Sequence, residues 1–312
     1  MKEEFTFSKI QLEDAPSLHA LAIDNGGNTN MNAKNINHWY FKNPEKSNSL
    51  WKIEKNNVIE GYATTNNFIY NCDNKDYLVA LPQNVLTSTN VRGKGLFGKL
   101  YHKTETDNIE NNGVDFFLTS TGAMSTPIFL KKFDYLRGVC PNVLVKVPSL
   151  PALFSKKKYT IIPDINSIQS LSHCNLNNAR KKNIEYFKWR YSECDKNKLK
   201  IIAVSNDKET IGYSFLISKT KFGIRTLILA DIICEKEENY SAIVDACSVF
   251  AAKNFYVARV MFELSFNCRR KGINLNVKNR FNFLVKGKTK KETTRLSTKG
   301  FNFFFGDLDY FW

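Results

Sequence analysis

The segment Val85-Leu86-Thr87-Ser88-Thr89-Asn90-Val91-Arg92-Gly93-Lys94-Gly95-Leu96-Phe97 constrains this chain more than any other. A strand-like run enters a turn with two glycines, and a helical pattern follows from about Leu96 to Glu110, ended by Gly113. Glycine adopts turn conformations that a Cβ disfavours, so Gly93 and Gly95 let the main chain come close to a ligand. The first amides of the helix lack intrahelical partners and carry the positive end of its dipole. Arg92 and Lys94 add formal charge. Such a corner suits a pyrophosphate. Its spacing is neither G-x-G-x-x-G nor G-x-x-x-x-G-K-[ST], so the dinucleotide fingerprint and the P-loop are absent.

The elements around this turn alternate between β and α. Phe5 to Ile10 alternates as a half-buried strand, and Asp14-Ala15-Pro16 opens a helix through Ile23. A loop at Asp24–Asn28 leads to a short helix carrying Ile36, Trp39 and Tyr40, which stops at Asn43-Pro44. Strands are expected near Leu50–Lys55 and Val58–Ile69, and another over Tyr77–Leu81 that resumes at Val85–Ser88. After the helix come a strand at Val114–Leu118, a short helix near Ser125-Thr126-Pro127 and a strand at Asn142–Val147.

The second half repeats this plan weakly. Asn35-Ile36 precedes Trp39 as Asn183-Ile184 precedes Trp189, and Gly61-Tyr62 and Gly212-Tyr213 follow those tryptophans by 22 and 23 residues. We read a duplicated unit, joined near Pro148–Pro163. Strands near Arg225–Ile233 and Val257–Leu264 then flank a helix near Ser241–Phe255.

Composition narrows the class. The chain has 312 residues, 43% of them hydrophobic, and no run long enough to span a membrane. Its start is acidic and lacks the apolar core of a secretory signal. Seven cysteines at irregular spacing, without C-x-x-C, fit reduced thiols in a cytoplasmic protein. Residues 1–150 hold 16 basic and 15 acidic side chains; the remainder hold 29 and 15, a net of +14. The basic clusters are Lys156 to Lys158, Arg180-Lys181-Lys182, Arg269-Arg270-Lys271 and Lys288 to Lys291. They read either as a solvated face or as a surface for an anionic partner: a nucleotide-sugar, a membrane surface or a nucleic acid. No zinc-finger or RNA-binding aromatic signature supports nucleic acid.

Arg92, Gly95 and the R-G-K-G-L-F run resemble the cofactor turn of the GNAT superfamily of N-acetyltransferases. That signature is Arg or Gln, two residues, Gly, one residue, then Gly or Ala. Phe97 departs from it at the last position, and the tandem GNAT-like subgroup with R-G-K-G-[LIV]-F is closer. The run Trp39 to Pro44, WYFKNP, is similar to the W-x-[FY]-x-x-N-P entry of that subgroup, with one residue of slippage. Thr119 to Tyr135 resembles its second cofactor segment, with Asp134 in place of Gly in Lys132-Phe133-Asp134-Tyr135. The likeness covers about residues 5–147.

The resemblance implies an α/β fold of two tandem GNAT-like units, each a twisted mixed sheet flanked by helices. Residues 1–150 would be an acyltransferase domain, and 151–312 a degenerate repeat that shapes the acceptor site or is structural. Acetyl-CoA or another acyl-CoA would lie between two splayed strands, held by Val85, Leu86, Thr87, Arg92, Gly93, Lys94, Gly95, Leu96 and Phe97. Ser125 would contact the pantetheine arm or cap its helix. A small-molecule primary amine would attack the thioester directly, with no metal. Amino sugars or anionic nucleotide-sugars of surface-polysaccharide assembly are the acceptors implied. A peptide amine, an aminoacyl-tRNA or a non-catalytic CoA-binding role are the alternatives.

The acid–base groups are less legible. The family's Tyr position is Leu130 here. Glu60 on a central strand is a candidate proton relay, His38 a candidate base, and Asp24 a candidate contact for the acceptor amine. His102 falls on a helix face expected to be solvated. The turn Asp231 to Glu238 carries three Glu and no Gly where a second pyrophosphate would sit, so like charge would repel it. Phe303 to Asp309 reads as a core strand and turn.

Overall fold

The computed structural model describes residues 4–27, 32–147, 150–156, 158–168, 176–206, 209–262, 274–277 and 282–308. Its contacts divide the chain into two compact units. The first comprises Met1–Tyr70, Lys75–Val139 and Phe281–Lys299, and the second Asn71–Asn74, Cys140–Arg280 and Gly300–Trp312. These units do not follow a boundary at residue 150.

The first half of the chain supplies β1 (Thr6–Lys9), α1 (Ala15–Asp24), α2 (Ala33–Ile36), β2 (Asn48–Lys55), β3 (Val58–Cys72), β4 (Lys75–Thr87), α3 (Leu96–Glu110), β5 (Phe116–Thr121), α4 (Thr126–Lys132) and β6 (Leu136–Arg137). Then come β7 (Val143–Lys146), α5 (Leu150–Phe154), β8 (Tyr159–Ile162), β9 (Ala179–Arg180), α6 (Ile184–Ser192), β10 (Leu199–Ser205), β11 (Thr210–Lys221), β12 (Ile224–Cys234), α7 (Tyr240–Lys253), β13 (Ala258–Phe262) and β14 (Asn274–Val277). β15 (Asn282–Gly287) and α8 (Lys290–Ser297) follow, and a short helical turn at Phe305–Asp307 comes after them.

Two mixed sheets result, ordered β1-β2-β3-β4-β5-β15-β6 and β14-β7-β13-β12-β11-β10-β8. Read from opposite ends, they are one plan used twice. Each has a parallel pair, β4 with β5 and β12 with β13, followed by an antiparallel strand from the other half of the chain. β15 fills that place in the first sheet and β7 in the second. The two half-chains have exchanged their closing strands, which is why the compact units cross residue 150. β15 is buried at Phe283, Leu284 and Val285, and β7 at Leu144. These are the apolar positions a sheet interior requires.

The duplication extends to a shared irregularity. In the first sheet, Ile53 faces Gly61 and Glu54 faces Ile59, so Glu60 is an extra residue on β3. In the second, Val204 faces Gly212 and Ser205 faces Thr210, so Ile211 is the extra residue on β11. Glycine is needed beside both bulges. A Cβ on Gly61 would lie 3.0 Å from Leu86 O, and one on Gly212 would lie 2.5 Å from Ile233 O.

The expected break between Leu81 and Val85 is not a break. β4 is continuous through Pro82 to Thr87, with Asn84 held at φ 45. The strand expected at Val114–Leu118 starts later, because Val114 N donates to Asn108 O at the end of α3 and Asp115 N to Leu78 O. Asp134, where the family has Gly, sits at φ 57, a conformation that Asp tolerates better than most side chains.

Candidate functional site

β4 and β5 pair only at Val79–Phe116 and Ala80–Phe117. The Thr119 hydroxyl donates to Pro82 O at 3.0 Å, and among the described residues the ladder is not resumed beyond it. Both strands continue, to Thr87 and Thr121, so they diverge into a V. The sequence explains the divergence: Pro82 has no N–H to offer, and the left-handed Asn84 turns the strand. Asn84 to Thr87 are half-buried, whereas the residues before them are buried.

A polar network fixes this bend. Residues Asn37–Phe41 form a π-helical turn after α2, with Lys42 N bonded to Asn37 O. The Trp39 indole donates to Gln83 Oε1 at 2.6 Å. Asn84 Nδ2 donates to Tyr40 Oη at 3.0 Å, the Tyr40 and Thr64 hydroxyls lie 2.7 Å apart, and Thr64 Oγ1 donates to Gln83 O at 2.6 Å. The sequence marked Trp39 and Tyr40 but not Gln83, Asn84 or Thr64. The available signal was two amides, Gln83-Asn84, interrupting an apolar strand.

The glycine turn follows. Ser88 N donates to Glu60 O at 2.8 Å, so the β3 bulge anchors the end of β4. Ser88 Oγ accepts from Asn90 N, and a short helical turn spans Thr89–Val91. Gly93 and Gly95 have φ of 83 and 72, and a Cβ on either would meet nothing within 4 Å. Gly95 is the N-cap of α3 and offers no side chain, so the first amides of α3 have no side-chain cap. Arg92 and Lys94 are exposed beside them, Leu96 is buried in the core, and Phe97 packs on Tyr101 and Phe133.

Glu60 and Asp24 come together in one open cavity of about 420 Å³, lined also by Ser88, Thr89 and Asn90. Thr89 N donates to Asn25 Oδ1 at 2.7 Å, which ties the end of α1 to this turn. No Lys or Arg is among the described residues lining the cavity. His38 does not line it; it is buried on the π-helical turn. Ser125 precedes α4 but makes no side-chain cap, so the capping role is set aside; its hydroxyl points to Gly122 O at 3.4 Å. Tyr135 is not an available acid, since its hydroxyl is buried 2.6 Å from that of Tyr101 and burial pushes both phenols well up.

The second unit builds the same corner differently. Cys234 faces Gly212 as Thr87 lies against Gly61, so three residues earlier Asp231 stands where Asn84 does. β12 and β13 pair over Thr226–Ile228 and Ala258–Val260, and beyond them the cleft holds the chain's own residues Phe304 to Asp307. The Phe305 ring stacks 4.2 Å from that of Phe262 on β13, and Phe304 lies against Tyr240 at the start of α7. A Cβ on Gly306 would lie 2.0 Å from Asp231 Oδ2. Ala230 to Cys234 are all buried.

Charges lock this packing. Lys182 Nζ bonds to Asp231 and lies 2.7 Å from Asp307, the Tyr191 hydroxyl donates to Asp231 at 2.7 Å, and Arg190 holds Gly306 O and Leu308 O. Burial opposes the Lys182 charge, yet Asp231 and Asp307 outweigh it and hold the ammonium above its ordinary value. Burial pushes Asp231 up; at Asp307 it is outweighed by Lys182 and Arg180, which hold that carboxyl down. Two members of the Arg180-Lys181-Lys182 cluster are therefore interior ion pairs, not a surface for an anion. Arg269-Arg270-Lys271 lies outside the described residues. Among the described residues no group of three His, Cys, Asp or Glu side chains is placed to hold a metal ion.

No protein-family model matches the sequence, and no curated protein matches it. Solved structures do match. A protein from Enterococcus faecalis V583 described as a probable N-acyltransferase shares 10% identity over 91% of this chain and 73% of its own, with a TM-score of 0.67. A GCN5-related N-acetyltransferase from Anabaena variabilis shares 9% identity over 90% and 72%, with a TM-score of 0.65. The N-myristoyltransferase of Saccharomyces cerevisiae, solved with bound myristoyl-CoA, shares 9% over 91% and 83%, with a TM-score of 0.53. By this likeness and by its paired strand orders, the chain has the fold of the GNAT-type N-acetyltransferases, built twice.

Proposed function

We propose that the first unit is an acyl-CoA-dependent N-acyltransferase acting on a primary amine. The observation that carries this is the opening of β4 from β5 after two residue pairs, directly before the glycine turn at the start of α3. Val85, Leu86 and Thr87 lie on the part of β4 that has left β5, where an extended pantetheine arm would add as a strand does. The α3 amides, Gly93 and Gly95, with Arg92 and Lys94, hold the pyrophosphate. Leu96 and Phe97 fix the first turn of α3 from the core side.

The acceptor amine enters the cavity that Asp24 and Glu60 line. Asp24 holds the incoming ammonium, Glu60 takes one of its protons through water, the free amine then attacks the thioester carbonyl, and the second proton passes from the nitrogen to the departing sulfur. A main-chain N–H near Leu86 or Thr87 bears the developing oxyanion, and the thiolate leaves with the electron pair of the broken C–S bond. His38, buried on the π-helical turn, positions Trp39 and Tyr40 against β4 in this reading. Two carboxylates with no Lys or Arg among the described residues lining their cavity favour an acceptor whose amine is charged.

The test is release of free thiol from acetyl-CoA and longer acyl-CoAs with a panel of amines: amino sugars, their nucleotides, polyamines and peptide N-termini. Turnover with one amine class establishes the reading and names the acceptor. Tight CoA binding without turnover on any amine makes the protein a binding module, and no CoA binding overturns the assignment.

A further inference from the structure

Four exposed apolar side chains of the second unit gather at two adjoining turns. Phe222 is 91% exposed and Phe255 80%, and Ile224 and Val257 are each more than half exposed. The turns are stitched together. Val257 N donates to Arg225 O at 2.9 Å, Arg225 Nη1 donates to Asn254 O at 3.3 Å, and the guanidinium sits 4.6 Å from the Tyr256 ring centre.

Neither phenylalanine suits its backbone. Phe222 and Gly223 form the β11–β12 turn at φ 51 and 75. The β2–β3 and β3–β4 turns use the same left-handed pair and fill it with Asn56-Asn57 and Asp73-Asn74, residues that tolerate it. Phe255 has φ 57 just past α7, where Phe255 N donates to Ala252 O and Tyr256 N to Ala251 O. That pair of bonds closes a helix end whose left-handed residue is ordinarily Gly. Past α3 the left-handed residue is Gly113. So two bulky rings occupy strained positions and bury almost nothing, which the fold does not require.

The charge on the two turns themselves has one sign. Lys219, Lys221, Arg225 and Lys253 flank the rings, and residues 219–226 and 253–258 include no Asp or Glu. Burial of its stem, and then the nearby Lys198, push the Lys219 ammonium down. Lys198 itself lies 4.0 Å from Asp195.

We propose that this edge docks the protein onto an anionic lipid bilayer. Phe222 and Phe255 enter the boundary between headgroups and acyl chains, Ile224 and Val257 follow, and the four cations meet lipid phosphates. A second copy of the chain, related by a two-fold axis, would bring like charges face to face. A single-stranded nucleic acid would stack on the rings but leave Ile224 and Val257 without a partner. The docking proposed is peripheral; no helix among the described residues is long and apolar enough to cross a membrane. It gives the basic half a partner that the acyl-transfer site does not, and it stands apart from the catalytic reading.

The test is co-sedimentation of the full chain with vesicles of phosphatidylcholine alone or with roughly a third phosphatidylserine. Binding is expected to the anionic vesicles only, and to weaken with salt. The pair Phe222→Asn and Phe255→Asn keeps residues that accept the left-handed turns. It should lower partitioning at least about tenfold without lowering the thermal midpoint. Lys221→Glu with Lys253→Glu should do likewise. Equal binding by the Asn pair, or equal binding to neutral vesicles, overturns the proposal. So does a lipid-free dimer in sedimentation velocity that the Asn pair abolishes, which would make the edge a self-interface.

Discussion

The same strand corner is built twice in this protein and left in two states. In the first unit, Asn84 to Thr87 are half-exposed and lead into a turn whose glycines face open space. In the second, Asp231 to Cys234 are buried beneath Phe304 to Gly306 and lead into Glu235, Glu237 and Glu238, all exposed. A cleft made by parting two strands exposes backbone groups that need partners. In the first unit the β4–β5 ladder stops after two pairs, and a ligand is proposed to take the vacated edge. The second packs its own residues Phe304 to Gly306 there and ties them down with Lys182 between two carboxylates. The sheets thus keep their architecture whether or not the site is retained, so the fold alone does not assign activity to either half.

The first way to break this comparison is at the open corner. Gly95→Asp places a Cβ at φ 72 and a carboxylate where the pyrophosphate is proposed to lie. CoA affinity should fall at least about 100-fold while circular dichroism stays unchanged. The parent chain should bind one CoA. Two equivalent binding events by calorimetry would show that the second cleft opens despite its filling, and unchanged affinity in the variant would move the site elsewhere.

The second way is at the sealed corner. Lys182→Met strands Asp231 and Asp307 together in the interior. Removing one partner of a buried ion pair costs about 3–5 kcal/mol. Urea unfolding should register that loss, while CoA affinity of the first unit stays as it was. A variant as stable as the parent would mean that the cluster does not hold Phe304 to Asp307 in place.

Much of this contrast was legible in sequence, and the reason is local chemistry. Gly93, Gly95 and the limits of α3 follow from turn and helix rules that act within a few residues. So does the missing glycine in Asp231 to Glu238. What was not legible depends on partners far along the chain. The filling of the second cleft requires Gly306 to meet Asp231, and the exchange of β7 and β15 involves one segment read as a strand, near Asn142–Val147, and one, Asn282–Gly287, that was not. Arg180 and Lys182 read as surface charge because their counter-charge, Asp307, is distant in sequence. The Gln83-Asn84 bend looked like the end of a strand because its support comes from Tyr40 and Thr64.

A smaller effect is expected at Asp107, which braces the first sheet. Burial opposes its ionisation, but hydrogen bonds from Lys9, Ser49, Asn111 and Trp51 outweigh that, and its pKa is lowered to about 2. A depressed carboxylate stabilises the fold above its unfolded pKa, and the gain is lost as pH falls from about 4 toward 2. Asp107→Asn should cost about 1–3 kcal/mol at neutral pH and flatten the acid limb of the stability curve. An acid limb identical in parent and variant would mean that other carboxylates govern it.

The finest distinction lies at the bulge the two sheets share. The extra residue is Glu60 on β3 and Ile211 on β11, and only Glu60 faces a cavity proposed to take an amine. Glu60→Gln preserves size and hydrogen-bonding capacity but cannot accept a proton. If Glu60 relays the amine proton through water, kcat should drop about tenfold, toward the low end of what positioned acid–base groups supply. CoA affinity and stability should not change, because Ser88 N is held by the Glu60 main-chain oxygen and not by its side chain. A rise in KM for the amine at constant kcat would instead make Glu60 a binding group that acts through charge. Neither change would leave Glu60 as the residue that happens to fill a bulge, equivalent to Ile211, and proton removal would then pass to solvent.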